Sequence, residues 1–127
     1  MRRRGILNAD LNAALSRLGH TDLVIVADCG LPIPRGVPVI DLALVHGVPR
    51  FEQVLDALLE ELAIDRAVVA VEVQGTLAHP WLTTRFEHLD YIDHTALKTL
   101  SESAALFIRT GEATPYANAA LVCGVGF

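Results

Sequence analysis

The amino-acid sequence predicts an α/β fold: a three-layer α/β/α arrangement around a mixed, largely parallel central sheet. Three features of the 127 residues carry that expectation. Residues 23–27 (Leu-Val-Ile-Val-Ala) and residues 66–73 are apolar, β-branched runs without polar alternation, the pattern of strands covered on both faces. Residues 51–62 carry the strongest helical periodicity, with Phe51, Val54, Leu55, Leu58, Leu59 and Leu62 on one side and Glu52, Asp56, Glu60 and Glu61 on the other. Helical and strand-like stretches alternate along the chain, as layered α/β folds require.

The elements follow in order. Asn8 is placed to cap a helix over 9–18, with Asp10 in its first turn and Leu11, Ala14, Leu15 and Leu18 at i, i+3, i+4 and i+7. Gly19 suits the position after that helix, where φ is usually positive. After the strand at 23–27, Pro32 and Pro34 forbid a helix and stiffen the exit loop. A second strand is expected around Val39-Ile40-Asp41-Leu42, then a turn at His46-Gly47-Val48-Pro49, with Pro49 at or near the first position of the 51–62 helix. Residues 74–90 are the least readable, with a short helix after Pro80 carrying Trp81, Phe86 and Leu89. A short strand at Tyr91-Ile92 leads to a helix capped by Asp93 or Thr95 and running to about Leu100. Strands at 104–109 and 119–123 flank a polar loop, and Gly124-Val125-Gly126-Phe127 follows. No internal repeat or low-complexity linker divides the chain, so one domain over 1–127 is expected.

Composition bounds the function. Apolar residues make up 52% of the chain and the formal net charge is -5. The first argues for a packed core. The second argues against nucleic-acid or anionic-membrane partners, which select basic patches. The Arg2-Arg3-Arg4 run is short and no apolar segment follows it, so no signal peptide is expected, and no run approaches the ~20 apolar residues of a membrane span. Cys29 and Cys123 lack metal-ligand spacing and read as reduced thiols of a cytoplasmic protein.

The stretch from Leu18 to Pro34 organises the candidate chemistry. His20 lies past the first helix, and histidine is the side chain whose charge changes near neutrality, which suits acid/base work; its plainer role is to meet the helix's last carbonyls. Asp28 closes the strand at 23–27, at the carboxyl edge where open α/β sheets hold ligands, although such a residue is often just a turn former. His94 opens a helix and by itself reads as a surface residue. Tyr116 and Asn118 offer a hydroxyl and an amide suited to sugar hydroxyls, or simply a packed loop. His46, His79 and His88 show neither HxH nor HExxH spacing, so no metal is expected. Gly124 and Gly126 form no dinucleotide fingerprint, because no helix follows them.

Three separated motifs, in order, resemble the family shared by ribose pyranases and fucose mutarotases. They are Gly19-His20-Thr21-Asp22; Asp28-Cys29-Gly30-Leu31-Pro32-Ile33-Pro34; and Ile108-Arg109-Thr110-Gly111-Glu112 followed by Thr114-Pro115-Tyr116-Ala117-Asn118. The similarity runs from Gly5-Ile6-Leu7-Asn8 to Phe127, and the Gly-Leu-Pro-Ile-Pro loop fits the ribose branch. It departs at Cys29, where the family more often has alanine, and over residues 74–90, which match poorly and are shortened. The resemblance implies that His20 is the catalytic proton donor and that Asp28, His94, Tyr116, Ala117 and Asn118 bind substrate. It implies a cofactor-independent isomerase that interconverts β-pyranose and furanose D-ribose by opening and reclosing the hemiacetal. The alternatives are a mutarotase for another sugar such as L-fucose, or a non-catalytic sugar-binding domain. It further implies a cyclic, often decameric, homo-oligomer with sites between subunits.

Overall fold

The computed structural model describes residues 1–127 and holds one six-stranded sheet. The elements are α1 (Ala9–Leu15), β1 (Leu23–Ala27), β2 (Val39–Asp41), α2 (Phe51–Leu59), β3 (Ile64–Ala70), α3 (His79–Thr83), β4 (Leu89–Ile92), α4 (His94–Ser101), β5 (Leu106–Arg109) and β6 (Ala119–Cys123). A 3₁₀ turn, Val71–Val73, follows β3. The sheet order is β2-β5-β1-β6-β3-β4. β1, β2 and β5 pair in parallel, as do β3 and β4, and β6 runs antiparallel between β1 and β3. Five strands therefore point one way and β6 points back, the mixed, largely parallel sheet expected.

Alternation along β1 divides the core into two layers. Val24 and Val26 face a large cluster with Leu11 and Leu15 of α1, Phe51, Val54, Leu55 and Leu58 of α2, and Leu82 of α3. Ile25 and Ala27 face a smaller cluster with Leu31, Phe107 and Leu97 of α4. The absence of polar residues in β1 follows from this double cover. An isolated helix as short as α2 is marginal in water. Four buried side chains, each contributing roughly 1.5–3 kcal/mol, hold it against the sheet.

Four local expectations need correction. The first helix stops at Leu15. Arg17 and Leu18 continue it only as tightened turns, their N–H groups donating to Ala14 and Leu15 carbonyls three residues back. Gly19 does not adopt positive φ; Thr21 does, at 72°, because the Asp22 side chain closes the turn by accepting from Gly19 N–H at 2.8 Å. Pro49 lies outside α2: Arg50 is the N-cap, its N–H held by Gln53 Oε1 at 2.9 Å, while the Pro49 carbonyl accepts from Gly111 N–H. The apolar run at 66–73 leaves the sheet at Ala70 and turns into the 3₁₀ segment.

Residues 74–88 form α3 and its approaches, anchored by one arginine; of the three residues expected on this helix only Trp81 lies on it, because the helix ends at Thr83, Phe86 follows it and Leu89 opens β4. Arg85 meets Asp56 of α2 through Nε (2.6 Å) and Nη2 (3.0 Å), meets Glu52 at 2.8 Å, and donates from Nη1 to the Trp81 carbonyl. The Arg85 guanidinium holds the Asp56 carboxyl below its ordinary value. An Arg85→Met variant is expected to lose about 1 kcal/mol of stability at neutral pH, the scale of a well-formed but partly exposed pair. Because the folded-state pKa of Asp56 is depressed, its contribution is present above its unfolded value of 3.8 and is lost as pH falls through the folded value. Denaturant melts at pH 7 and at successively lower pH beneath 3.8 should therefore show the gap between the two proteins closing progressively in acid; a gap independent of pH would exclude the ion pair as its source.

Candidate active site

The carboxyl ends of the parallel strands carry a polar constellation centred on Asp28. Asp28 Oδ1 accepts from Gly30 N–H (3.0 Å) and Leu31 N–H (2.8 Å), bending the chain out of β1. Its backbone N–H donates to Asn118 Oδ1 at 2.8 Å, and Asn118 Nδ2 donates back to Asp28 Oδ2 at 3.1 Å. Asn118 is fully buried and Asp28 nearly so. Buried polar groups of this kind are costly unless paired, and these two residues, ninety positions apart, pair reciprocally.

The 110–118 loop is built to reach them. It joins the end of β5 to the start of β6, and both lie beside the end of β1. Thr110 binds the Ala27 carbonyl through both its N–H (2.9 Å) and its Oγ1 (2.7 Å). The Glu112 carbonyl accepts from Cys29 N–H at 2.8 Å. The buried Glu112 carboxylate receives Phe51 N–H on one oxygen and Thr114 N–H and Oγ1 on the other. It thus serves the first free donor of α2 and fixes the loop in one stroke. A side chain at 111 would collide with the Val48 carbonyl at 2.2 Å, so only glycine fits there.

His94 and Tyr116 complete the wall. Asp93 caps α4 by accepting from Ala96 N–H, and the His94 N–H is held by both oxygens of Glu72 at 3.1 and 2.9 Å. The His94 and Tyr116 rings meet edge to face with centroids 5.1 Å apart, Tyr116 being held at φ 63°. His94 Nδ1 is buried without a hydrogen-bond partner in the chain, an exception that calls for a ligand or a functional reason. Asp28, Gly30, Leu31, Pro32, His94, Lys98, Pro115 and Tyr116 enclose about 280 Å³. An apolar hollow between α1, α2 and Pro49 is larger, about 520 Å³. Convergent polar groups, not volume, make the first the candidate site.

The remaining candidates fall differently. Asn118 is off the pocket wall and spends its amide on Asp28. The Ala117 methyl is packed in the large core cluster, so only its backbone is available to a ligand. Lys98, one helical turn beyond His94, lines the pocket and was not singled out from the sequence, although the i, i+4 spacing on a helix places the two side by side. His20 stands apart. It precedes β1, whereas Asp28 follows it, and a five-residue strand spans roughly 17 Å. Within one chain the two residues therefore do not share a crevice. His20 is instead exposed, with Nε2 3.5 Å from Asp65 Oδ2.

Fold and pocket define a class: three-layer α/β proteins with a small, polar-walled pocket at the carboxyl ends of their parallel strands. Residues 1–126 match the model of the RbsD / FucU transport protein family. The chain is 47% identical over 127 residues to a D-ribose pyranase of Cutibacterium acnes and 50% identical over 129 residues to D-ribose pyranase 1 of Rubrobacter xylanophilus, covering all of both. It superposes on the structure of Bacillus subtilis RbsD complexed with D-ribose with a TM-score of 0.94 and 41% identity, each chain covered in full. The fucose mutarotase of Streptococcus pneumoniae, solved with L-fucose, shares the fold at a TM-score of 0.80 and 23% identity over 95% of each chain. The chain belongs to the RbsD / FucU family. No helix in it is long and apolar enough to cross a membrane.

Replacing Asn118 by alanine strands the Asp28 N–H and one carboxylate oxygen in the interior. The expected cost is about 1–3 kcal/mol in denaturant unfolding. An Asn118→Ala protein as stable as the parent would show that the reciprocal pair contributes nothing.

Proposed function

We propose that this protein is an isomerase with D-ribose pyranase activity, interconverting the β-pyranose and furanose forms of D-ribose without a cofactor. The full-length identity of 47–50% to two D-ribose pyranases carries this reading. The fully covered match to a relative solved with D-ribose supports it. So does the pocket: about 280 Å³ walled by a carboxylate, an imidazole, an ammonium and a phenol suits a pentose.

The chemistry needs only proton transfers. A proton from the His20 imidazolium goes to the pyranose ring oxygen as the C1–O5 bond breaks. The anomeric hydroxyl gives its proton to a base, water or His94, and C1 becomes an aldehyde. Closure through the C4 hydroxyl returns that hydroxyl's proton to His20 and a proton to O1, so no net proton is consumed. General acid/base catalysis contributes about 10²–10⁴-fold, enough for a reaction that already proceeds unaided. Asp28, Lys98, His94 and Tyr116 hold the hydroxyls, and Asn118 holds Asp28.

His20 lies at the other end of β1 from this pocket, so it serves the pocket of a second copy. Repeated from copy to copy, that contact generates a closed ring, in accord with a cyclic homo-oligomer, decameric in its expected form. The same reading places the protein in the cytoplasm, where its two free cysteines stay reduced.

Exchange NMR on D-ribose tests the activity. Catalytic protein should speed pyranose–furanose exchange, and His20→Ala should abolish the gain; no acceleration of ribose, with acceleration of L-fucose, would assign a mutarotase instead. Mixing tests the shared site. His20→Ala and Asp28→Asn are expected to be inactive apart and partly active when co-assembled, since random assembly rebuilds roughly a quarter of the interfaces. No recovery in a verified mixed oligomer would refute a site shared between copies.

A further inference from the structure

Asp65 sits where β3 breaks register with β6. Ile64 pairs with Cys123 and Arg66 with Val122, so Asp65 is the extra residue of a β-bulge. Bulges re-aim a side chain, and they recur beside active sites. Here the bulge turns the Asp65 carboxylate toward His20, with Oδ2 3.5 Å from Nε2. Gly124 makes room for it: a β-carbon at 124 would lie 2.2 Å from Asp65 Oδ1.

Other charged groups at this edge are otherwise engaged. Asp22 spends Oδ2 on the Gly19 N–H at 2.8 Å. Arg66 pairs with Asp90 at 3.2 Å. Burial first, and then the Asp22 and Asp65 carboxylates, push the Cys123 thiol up. Asp65 is the carboxylate paired with the His20 ring.

We propose that Asp65 is a positioning residue for His20: it holds the imidazole through Nε2–H and leaves Nδ1 as the nitrogen that passes the proton to the sugar ring oxygen. A carboxylate on one ring nitrogen fixes both the tautomer and the orientation of a catalytic histidine. When Nδ1–H gives up its proton, the neutral ring left behind carries its hydrogen on Nε2, facing Asp65. On reclosure Nδ1 takes the proton back from the C4 hydroxyl. At 3.5 Å between two half-exposed side chains the contact is long, as such contacts often are before substrate tightens them. This inference rests on His20 being the proton donor of the proposed activity.

The test uses the intact protein and D-ribose exchange, with His20→Ala as the reference. Asp65→Asn is expected to lower kcat by about 10–100-fold, the range known for outer partners that orient metal-bound histidines, with KM nearly unchanged. Asp65→Glu should restore most of the loss. Gly124→Ala, which displaces the carboxylate without removing it, should lower kcat in the same direction. Nitrogen-15 NMR of the neutral His20 ring, assigned by its disappearance in His20→Ala, should show hydrogen on Nε2 in the parent protein. If Asp65→Asn keeps full kcat, or if the ring carries hydrogen on Nδ1, the inference is overturned. The NMR reading decides even if an Asp65 variant fails to fold. If His20→Ala itself keeps full activity, it is the proton-donor assignment that fails, a distinct result.

Discussion

The reciprocal hydrogen bonds between Asp28 and Asn118 are the constraint on which the rest depends. They join the end of β1 to the start of β6 across ninety residues, inside the protein and away from water. Strand β6 can lie antiparallel between β1 and β3 only if the 110–118 loop brings the chain back at the same edge where β5 ends. The Asp28 backbone N–H, the Ala27 carbonyl and the Cys29 N–H are all satisfied by that loop, through Asn118, Thr110 and Glu112. The pocket is a by-product of the same arrangement. With Asp28 and Asn118 locked together, Gly30, Leu31 and Pro32 form one wall and Pro115 and Tyr116 another.

Buried polar groups hold the frame of the candidate pocket. Glu112 is 2% exposed, yet each of its oxygens accepts hydrogen bonds, one from α2 and one from its own loop. His94 is the contrast: its backbone N–H is anchored by Glu72 and its ring by Tyr116, while Nδ1 is left without a partner. The fold spends its hydrogen bonds on fixing the frame and keeps one buried imidazole nitrogen out of that account.

Much of the fold was legible because its signals are local. The bounds of β1 and β6 follow directly from uninterrupted apolar runs, α2 from its periodicity, and α4 from Asp93 as cap. What misled were positions set by distant contacts. Gly19 looked like a helix terminus, but the Asp22 side chain takes its N–H and Thr21 bears the positive φ. Pro49 looked like a helix start, but the Gly111 N–H holds its carbonyl outside α2. Of the candidate site, Asp28 and Tyr116 were legible from motifs, His94 only through the family resemblance, and Lys98 from helical spacing in retrospect. Thr110 and Glu112 gave no signal of their own beyond the motif that contained them, since their roles depend on partners about sixty to eighty residues away. The distance between His20 and Asp28 was implicit all along: a strand lying between two residues carries them to opposite edges of a sheet.

The antiparallel course of β6 also decides where the chain emerges. It delivers Cys123 to the His20 edge, where its carbonyl accepts from Thr21 N–H at 2.9 Å, and Val125 and Phe127 extend from there into solvent. Anything fused after Phe127 is tethered within a few residues of His20. An affinity handle or fluorescent partner added there would crowd the histidine and the surface around it, so under the proposed reading of His20 a protein made that way would fold normally yet report a false loss of activity. Handles intended for assay are better attached elsewhere or removed before measurement.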